Sequence, residues 1–381
     1  MSNYFDVIGF IKNQFDNKEF IPLHEPRFLG NEKKYVNDTI DSTFVSSVGA
    51  YVDKFELMMS SISETKKSIA IVNGTSALQV ALRLVGVNSG DEVITQALTF
   101  IATINAIIYN GAAPIFIDVD LDTMGLSPKS VESFLDEFGE LREGICYNKK
   151  TNKKIAACMP MHTFGFPIHI NELVKVCDKW NIPIVEDAAE AIGSEYHSKP
   201  IGSFGKIGVF SFNGNKVVTS GGGGAIVTND VELGVKAKHL TTTAKVPHPY
   251  EYVHDEIGYN FRMPNINAAL ACAQLEQLDF FIGNKRKLAQ EYNSFFKSKG
   301  INFRTELPQT KANYWLMCVE LENKKEREAF LKDTNENGVM TRPIWQLIFK
   351  SSLYSGFQKD EQVNAMSLED RIVNIPSSVR I

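Results

Sequence analysis

The amino-acid sequence predicts an α/β protein: a large domain over residues 1–250 built on a mainly parallel sheet, then a small C-terminal α+β domain over 251–381. Three observations lead there. Short apolar runs alternate with helical patterns over the first two thirds of the chain, acidic residues and glycines cluster where those runs end, and the texture changes after about Tyr250. Strand–helix alternation predicts a parallel sheet with both faces covered. A chain of 381 residues also exceeds a single core of ordinary size, so a large unit and a smaller one are expected.

The strands come in order. Glu92–Ile94 follows the turn Asn88-Ser89-Gly90-Asp91, and Pro114–Val119 leads into Asp118 and Asp120. Ile155–Met161 and Ile182–Val185 are similar, the second closed by Glu186-Asp187. Between them Ile101–Tyr109, Ser127–Phe138 and Ile170–Trp180 have helical length and pattern, and the last sets Leu173, Val174, Val176 and Cys177 largely on one face. Further on, Asn265–Asn284 is helical in period and charged helix-like sequence continues through Lys299. Strand-like Trp315–Leu321 and helical Lys324–Asn335 complete the small domain. Thr241–Glu256, rich in His, Pro and Tyr, is the best candidate for an ordered functional loop.

A net charge of −5 offers no basic footprint for a nucleic-acid backbone, which disfavours a DNA-binding regulator. Charged residues interrupt the N-terminus, so no secretory signal is expected, and no run of 18 apolar residues marks a membrane span. Five scattered cysteines (Cys146, Cys158, Cys177, Cys272, Cys318) without a Cys-x-x-Cys pair read as free thiols in a reducing cytoplasm, with no metal site.

Four motifs carry chemistry. Ser211-Phe212-Asn213-Gly214-Asn215-Lys216 precedes a run of four glycines, Gly221–Gly224. Glycine permits close approach of backbone to a ligand, and a lysine in a buried or cationic setting becomes a carbonyl nucleophile. A flexible loop with a solvated lysine fits the same residues equally well. Val185-Glu186-Asp187-Ala188-Ala189-Glu190 puts Asp187 at the end of a buried strand. A pyridine ring used as an electron sink needs a carboxylate at its nitrogen, and Asp187 suits it. Glu190 is near enough in sequence for the ring's phenolic oxygen, while a plain helix cap is the competing role for Asp187. Asn73-Gly74-Thr75-Ser76 opens a helix over Ser76–Val85, a ready anion site or a simple cap by Thr75. Finally, Thr99-Phe100-Ile101-Ala102-Thr103 follows a strand, and Phe100 suits either stacking on a flat ring or core packing.

Taken together, these motifs resemble the DegT/DnrJ/EryC1/StrS family of sugar-nucleotide aminotransferases, over Ile21-Pro22-Leu23 through Arg342-Pro343. The resemblance implies an aspartate-aminotransferase-like, fold type I dimer that uses pyridoxal 5'-phosphate. It implies that Lys216 anchors the cofactor covalently, with Asp187 on the pyridine nitrogen and Phe100 over the ring. Thr75, Ser76 and Ser211, beside Gly74, would hold the phosphate. Asn260 and Arg262, within Gly258–Arg262, would reach that phosphate from the partner subunit. Intact Lys216 speaks against the dehydratase branch of the same fold, which has histidine there. Lys216, Asp187 and Ser211 together speak against a regulator that has lost the chemistry.

The segments His24–Phe28, Phe44–Gly49, Met161–Gly165 and Thr241–His248 resemble one branch of that family. It aminates the C4 ketone of UDP-2-acetamido-2,6-dideoxy-hexos-4-ulose with L-glutamate as donor, in bacillosamine or legionaminic acid pathways. GDP-perosamine synthase-like activity is the alternative. Arg27, Lys245, His248 and Arg342 are then candidates for the diphosphate and His162 for the pocket wall. Ordinary surface or packing roles fit each of these as well.

Overall fold

Seven strands make the central layer: β1 (Lys67–Ile71), β2 (Glu92–Gln96), β3 (Ala113–Ile117), β4 (Lys153–Met159), β5 (Val185–Asp187), β6 (Ile207–Ser211) and β7 (Gly224–Thr228). In this computed structural model, which describes residues 4–381, they are ordered β3-β2-β4-β5-β6-β7-β1. Residues 1–3 of the predicted large domain lie outside the described residues. The β4–β5 join is made by single bridges, Cys158 to Ile184 and Met161 to Asp187. Pairing is parallel throughout except at β7, which runs antiparallel to both β6 and β1. Successive residues of β2, β5 and β7 are all buried, so both sides of the layer are covered.

Helices α1 (Phe5–Gln14), α2 (Glu32–Asp41) and α3 (Ala50–Ile62) precede β1; α4 (Gly74–Leu84), α5 (Ile101–Tyr109), α6 (Pro128–Phe138) and α7 (Ile170–Lys179) fill connections as expected, and α8 (Val231–Thr241) follows β7. Side chains cap α4, α6 and α8, the last through Asp230 accepting from Leu233 N–H, and at α4 the cap is Asn73 rather than Thr75, which lies inside the first turn. Asn73 accepts from Ser76 N–H at the head of α4, and Ser127 accepts from Ser130 N–H before Pro128 in α6. Strand β5 starts later than the apolar run Ile182–Val185, because Pro183 has no N–H to give to a ladder.

The predicted helix Asn265–Asn284 is two helices, α9 (Asn265–Leu275) and α10 (Leu278–Ser298). Buried Glu32 on α2 accepts from both Gln274 and Gln277, at 2.6 and 2.7 Å, and the break at Glu276-Gln277 lets both amides converge on it. A second sheet follows, from β8 (Asn302–Phe303), β9 (Met317–Glu320), β10 (Arg342–Pro343) and β11 (Ile372–Ile375), antiparallel in the order β8-β9-β11-β10. Helices α11 (Lys324–Glu336) and α12 (Val363–Glu369) belong to the same stretch of chain.

The N-terminal segment packs against this second layer. Phe10 stacks on Phe295 of α10 at 3.9 Å, and Tyr4 meets Phe330 of α11 edge-on at 4.9 Å. Ser377 N–H donates to the Leu23 carbonyl, Glu25 N–H to Ser378 Oγ, and Arg27 Nε to the Val379 carbonyl. Residues 23–27 and 377–379 thus run side by side.

Asp118, one residue beyond β3, ties the central layer to α12. Its carboxylate accepts from Val119 N–H at 2.9 Å and from Asn364 and Ala365 N–H at 2.8 Å each. Deleting it leaves buried donors without acceptors. Asp118→Ala is expected to destabilise the fold by about 1–3 kcal/mol, read as a lower midpoint in urea unfolding, with Asp118→Asn costing less.

Candidate active site

The carboxyl ends of β4, β5 and β6 and the start of α4 meet at one place, as ligand sites do in open α/β sheets. Two acids stand side by side at the end of β5, and strand alternation sends them to opposite sides. Glu186 turns away from the ligand space. It accepts from Gly202, Phe204 and Gly205 N–H, and from His162 Nε2 at 3.2 Å. Burial alone would raise its pKa, but these hydrogen bonds outweigh burial and hold the carboxyl below its ordinary value.

His162, a candidate for the pocket wall, is fully buried behind the site. Its Nδ1 accepts from Ile168 N–H at 3.3 Å, which puts the proton of the neutral ring on Nε2, facing Glu186. Both ring nitrogens are therefore spent on structure, and none is left to meet a ligand.

Asp187 faces the other way. Thr103 Oγ1 donates to its Oδ2 at 2.8 Å, and Ala189 N–H donates to its Oδ1 at 3.2 Å. Thr103 spends its proton there, so in the 2.7 Å Thr99–Thr103 pair Thr99 is the donor. Burial raises the pKa of Asp187, and the Thr103 and Ala189 hydrogen bonds offset this only in part. Among the described residues Asp187 makes no ion pair, although it is 2% exposed. A buried carboxylate hydrogen-bonded only by neutral donors, with Lys216 attracting it at longer range, fits a cationic ligand group such as a protonated pyridine nitrogen.

Lys216 lies in the β6–β7 loop, its side chain 12% exposed. Nζ is 3.1 Å from Glu190 Oε1 and 3.7 Å from the centroid of the Trp315 ring. Trp315 is fixed in turn, its Nε1 donating to the Asn215 carbonyl at 2.6 Å. The other oxygen of Glu190 accepts from Phe164 N–H at 2.8 Å. Burial is the main influence on Glu190, whose pKa is pushed up to about 7 against the opposing pull of Lys216 and the Phe164 N–H.

Two glycines let backbone close around this loop. A Cβ on Gly74 would stand 2.9 Å from Ser211 Cβ, and one on Gly224 would stand 2.7 Å from the Asn73 carbonyl carbon. Only glycine allows the head of α4 to sit against the ends of β6 and β7. Gly74, half-buried Thr75 and Ser76, and Ser211 are thereby brought together, with free N–H groups in the first turn of an eleven-residue helix. That cradle suits a phosphate.

Phe100 caps α5 and is 51% exposed, which leaves a face of its ring open to a flat partner. It begins an aromatic wall, with Trp345 at 6.4 Å and Phe164 at 4.9 Å from Trp345.

The remaining candidates lie elsewhere or are already engaged. Lys245, His248 and Arg262 line a basic pocket of about 580 Å³ together with Thr242, Pro247 and Pro249. The loop that carries it includes a short antiparallel pair, Lys245–Val246 with Val253–His254. Asn260 is exposed, and its Oδ1 accepts from Arg262 at 2.9 Å. Arg27 is paired with Glu25 at 2.5 Å. Arg342 is exposed in the second sheet, bonded to Asn335 and to the Thr341 carbonyl.

Trp345 carries no signal in the sequence; Trp315 is read there only as the start of a strand, and His24 and Phe164 only as members of segments that resemble one branch of a family. Both ring nitrogens of His24 are buried without a hydrogen bond. Burial, with the positive charges of Lys285, Lys216 and Arg27, keeps that ring neutral. Thr103 was visible only as a member of the Thr99–Thr103 motif. Asp120, Asp122 and His169 bring potential ligand atoms within 4.8 Å of one another, but His169 Nε2 is engaged by Asp122 at 3.0 Å.

Comparison with known proteins shows the family. The model of the DegT/DnrJ/EryC1/StrS aminotransferase family matches residues 28–381. GDP-perosamine synthase of Escherichia coli O157:H7 is 37% identical over 359 residues, covering 94% of this chain and 93% of that one. The Vibrio cholerae protein of the same name is 34% identical over 360 residues, covering 94% of each chain. Among solved structures, Helicobacter pylori PseC, an aminotransferase involved in pseudoaminic acid biosynthesis, superposes with a TM-score of 0.85 at 24% identity over 94% of each chain. An aminotransferase from Psychrobacter cryohalolentis gives 0.82 at 26% identity, over 94% of this chain and 93% of its own. The chain belongs to the DegT/DnrJ/EryC1/StrS aminotransferase family, with the fold type I architecture and pyridoxal-phosphate dependence of that family.

Proposed function

We propose that the protein transfers the amino group of L-glutamate to the C4 ketone of a nucleotide-linked 4-keto-6-deoxy sugar. The observation that carries the reading is the nearness of a nearly buried amine, Lys216, to a buried carboxylate that makes no ion pair among the described residues, Asp187. Bound pyridoxal phosphate supplies an electron sink for the bond pair released when a Cα proton leaves. Asp187 keeps a proton on the ring nitrogen, oriented by Thr103 and Ala189. Lys216 anchors the cofactor and, once displaced by the donor amine, carries the proton from one carbon to the other. Gly74, Thr75, Ser76 and Ser211 hold the phosphate, and Phe100 covers one face of the ring.

The basic pocket of Lys245, His248 and Arg262 has the charge for a diphosphate, whose remote binding energy positions the ketone. Segments 24–28, 44–49, 161–165 and 241–248 favour a UDP-linked 2-acetamido sugar. The GDP-perosamine synthases at 37% and 34% identity favour a second reading, a GDP-linked substrate. A panel of UDP-, GDP- and dTDP-linked 4-keto sugars with glutamate as donor separates them by product. Lys216→Ala is expected to lose turnover by several orders of magnitude with every one. Borohydride reduction is expected to place the pyridoxyl label on Lys216, and a label on another lysine overturns the assignment.

Asp187→Asn removes the charge and keeps the shape. Turnover is expected to fall about 10²–10³-fold, the scale of losing one preorganised electrostatic partner, while the cofactor stays bound. A near-normal rate at full occupancy would assign the ring nitrogen to another group.

The site is proposed to be shared between two subunits, each giving Asn260 and Arg262 to the other's phosphate. Exposed Asn260 and the exposed apolar side chains Phe44, Val48 and Leu57 support a two-fold contact. Mixing Lys216→Ala chains with Asn260→Ala chains tests it. A mixed dimer then has one intact site and one doubly damaged site, so activity is expected to return to about half of wild type per mixed dimer. No recovery, with subunit exchange verified and Asn260→Ala itself inactive, would place the phosphate site within one chain.

A further inference from the structure

Glu190 stands where a side chain touching the phenolic oxygen of the cofactor is expected, yet a neutral amide would serve that contact without the cost of burying an acid. Its surroundings show what the acid adds. Phe164 N–H can only donate, so Oε2 is fixed as an acceptor, and any proton on the carboxyl sits on Oε1. Oε1 is the atom 3.1 Å from Lys216 Nζ. The arrangement is held rigidly. Asn313 Nδ2 donates to the Glu190 carbonyl at 2.8 Å, and Phe164 keeps a left-handed backbone (φ 57°, ψ 15°) that a bulky residue adopts only under constraint.

The charged groups that face Glu190 are Lys216 from the β6–β7 loop and Asp187 from the end of β5. Lys216 is flanked by the Trp315 ring, and His24, on which its charge acts through space, is held well below the ordinary imidazole pKa chiefly by burial. No carboxylate other than these two acids is recorded against the pair among the described residues.

We infer that Glu190 is a further catalytic residue, sharing one proton with Lys216 across the Oε1–Nζ contact. When Nζ must attack, its ammonium proton passes to Oε1. The freed lone pair would form the bond to the carbonyl carbon of pyridoxal phosphate, and the carbonyl oxygen would leave as water with two of the three ammonium protons, handed over through Oε1, while the third stays on the imine nitrogen and Glu190 ends as carboxylate. When Lys216 must act as an acid, the proton returns. The sharing holds wherever the pair carries a single proton, so the supply of neutral amine is set by the pair and not by the solvent. This inference rests on the reading of Lys216 as the cofactor anchor.

The test is the rate at which full-length, cofactor-stripped protein captures pyridoxal phosphate, followed by absorbance across pH. In wild type the rate is expected to level off above about pH 7, because the pair then holds one proton at constant occupancy. In Glu190→Gln the amine has no partner to share a proton with, so the rate is expected to keep rising through the same range, with no break near 7. The ionisations of free pyridoxal phosphate are common to both proteins and cancel in the comparison. Profiles of the same shape would overturn the proposal.

A second variant does not depend on how Glu190→Gln folds. In Lys216→Ala the counter-charge is gone, so the infrared band of a protonated carboxyl is expected to persist to higher pH than in wild type. Loss of that band at the same pH in both proteins would also overturn the proposal. Borohydride mapping keeps the two readings apart. A label absent from Lys216 sinks the anchor itself, whereas a label on Lys216 with unchanged pH profiles sinks only the shared proton.

Discussion

A carboxylate buried without a counter-ion is the constraint on which the centre of this molecule depends. Asp187 cannot leave β5, because its backbone is pinned on both sides, by Pro160 and His162 of the chain beyond β4 and through the ladder to β6. Nor can it be solvated. The neighbouring elements meet part of its need with an alcohol from α5 and an amide from Ala189, and leave the rest for a cation brought from outside. A site of this kind is destabilised by its own charge until a ligand arrives, and ligand binding therefore returns stability to the fold.

The adjacent acid shows the opposite solution. Glu186 is as deeply buried as Asp187 but is satisfied from within, by three backbone N–H groups and one imidazole. One residue along a strand changes the face, and with it the whole environment. That is why two acids side by side in sequence have pKa values pushed in opposite directions, Glu186 down and Asp187 up. His162 belongs to the satisfied face and serves the site at one remove, by holding the strand end in place.

Much of this was legible in the sequence, for identifiable reasons. The parallel layer followed from apolar runs short enough to be strands and bounded by turns, and Lys216 and Asp187 from motifs confined to a few consecutive residues. What escaped was whatever depends on distant chain. Trp315 and Trp345 come from the C-terminal stretch and carry no local pattern that marks a site, yet Trp315 forms the wall beside Lys216. The break between α9 and α10 is set by Glu32, more than two hundred residues earlier, so periodicity alone reads straight through it. His162 was visible as a residue but not as a direction, because a histidine in a motif does not reveal which face of the backbone it occupies.

The pairing of residues 23–27 with residues 377–379 has a consequence for how the molecule comes into being. During synthesis the early segment emerges with its partner still unmade, and it must wait for nearly the whole chain before it can settle. Contacts spanning so much sequence form late and slowly. His24 lies in that segment, so it too settles only once residues 377–379 are in place. The pairing thus acts as a clasp: residues 377–379 must be in place before the segment 23–27 can settle.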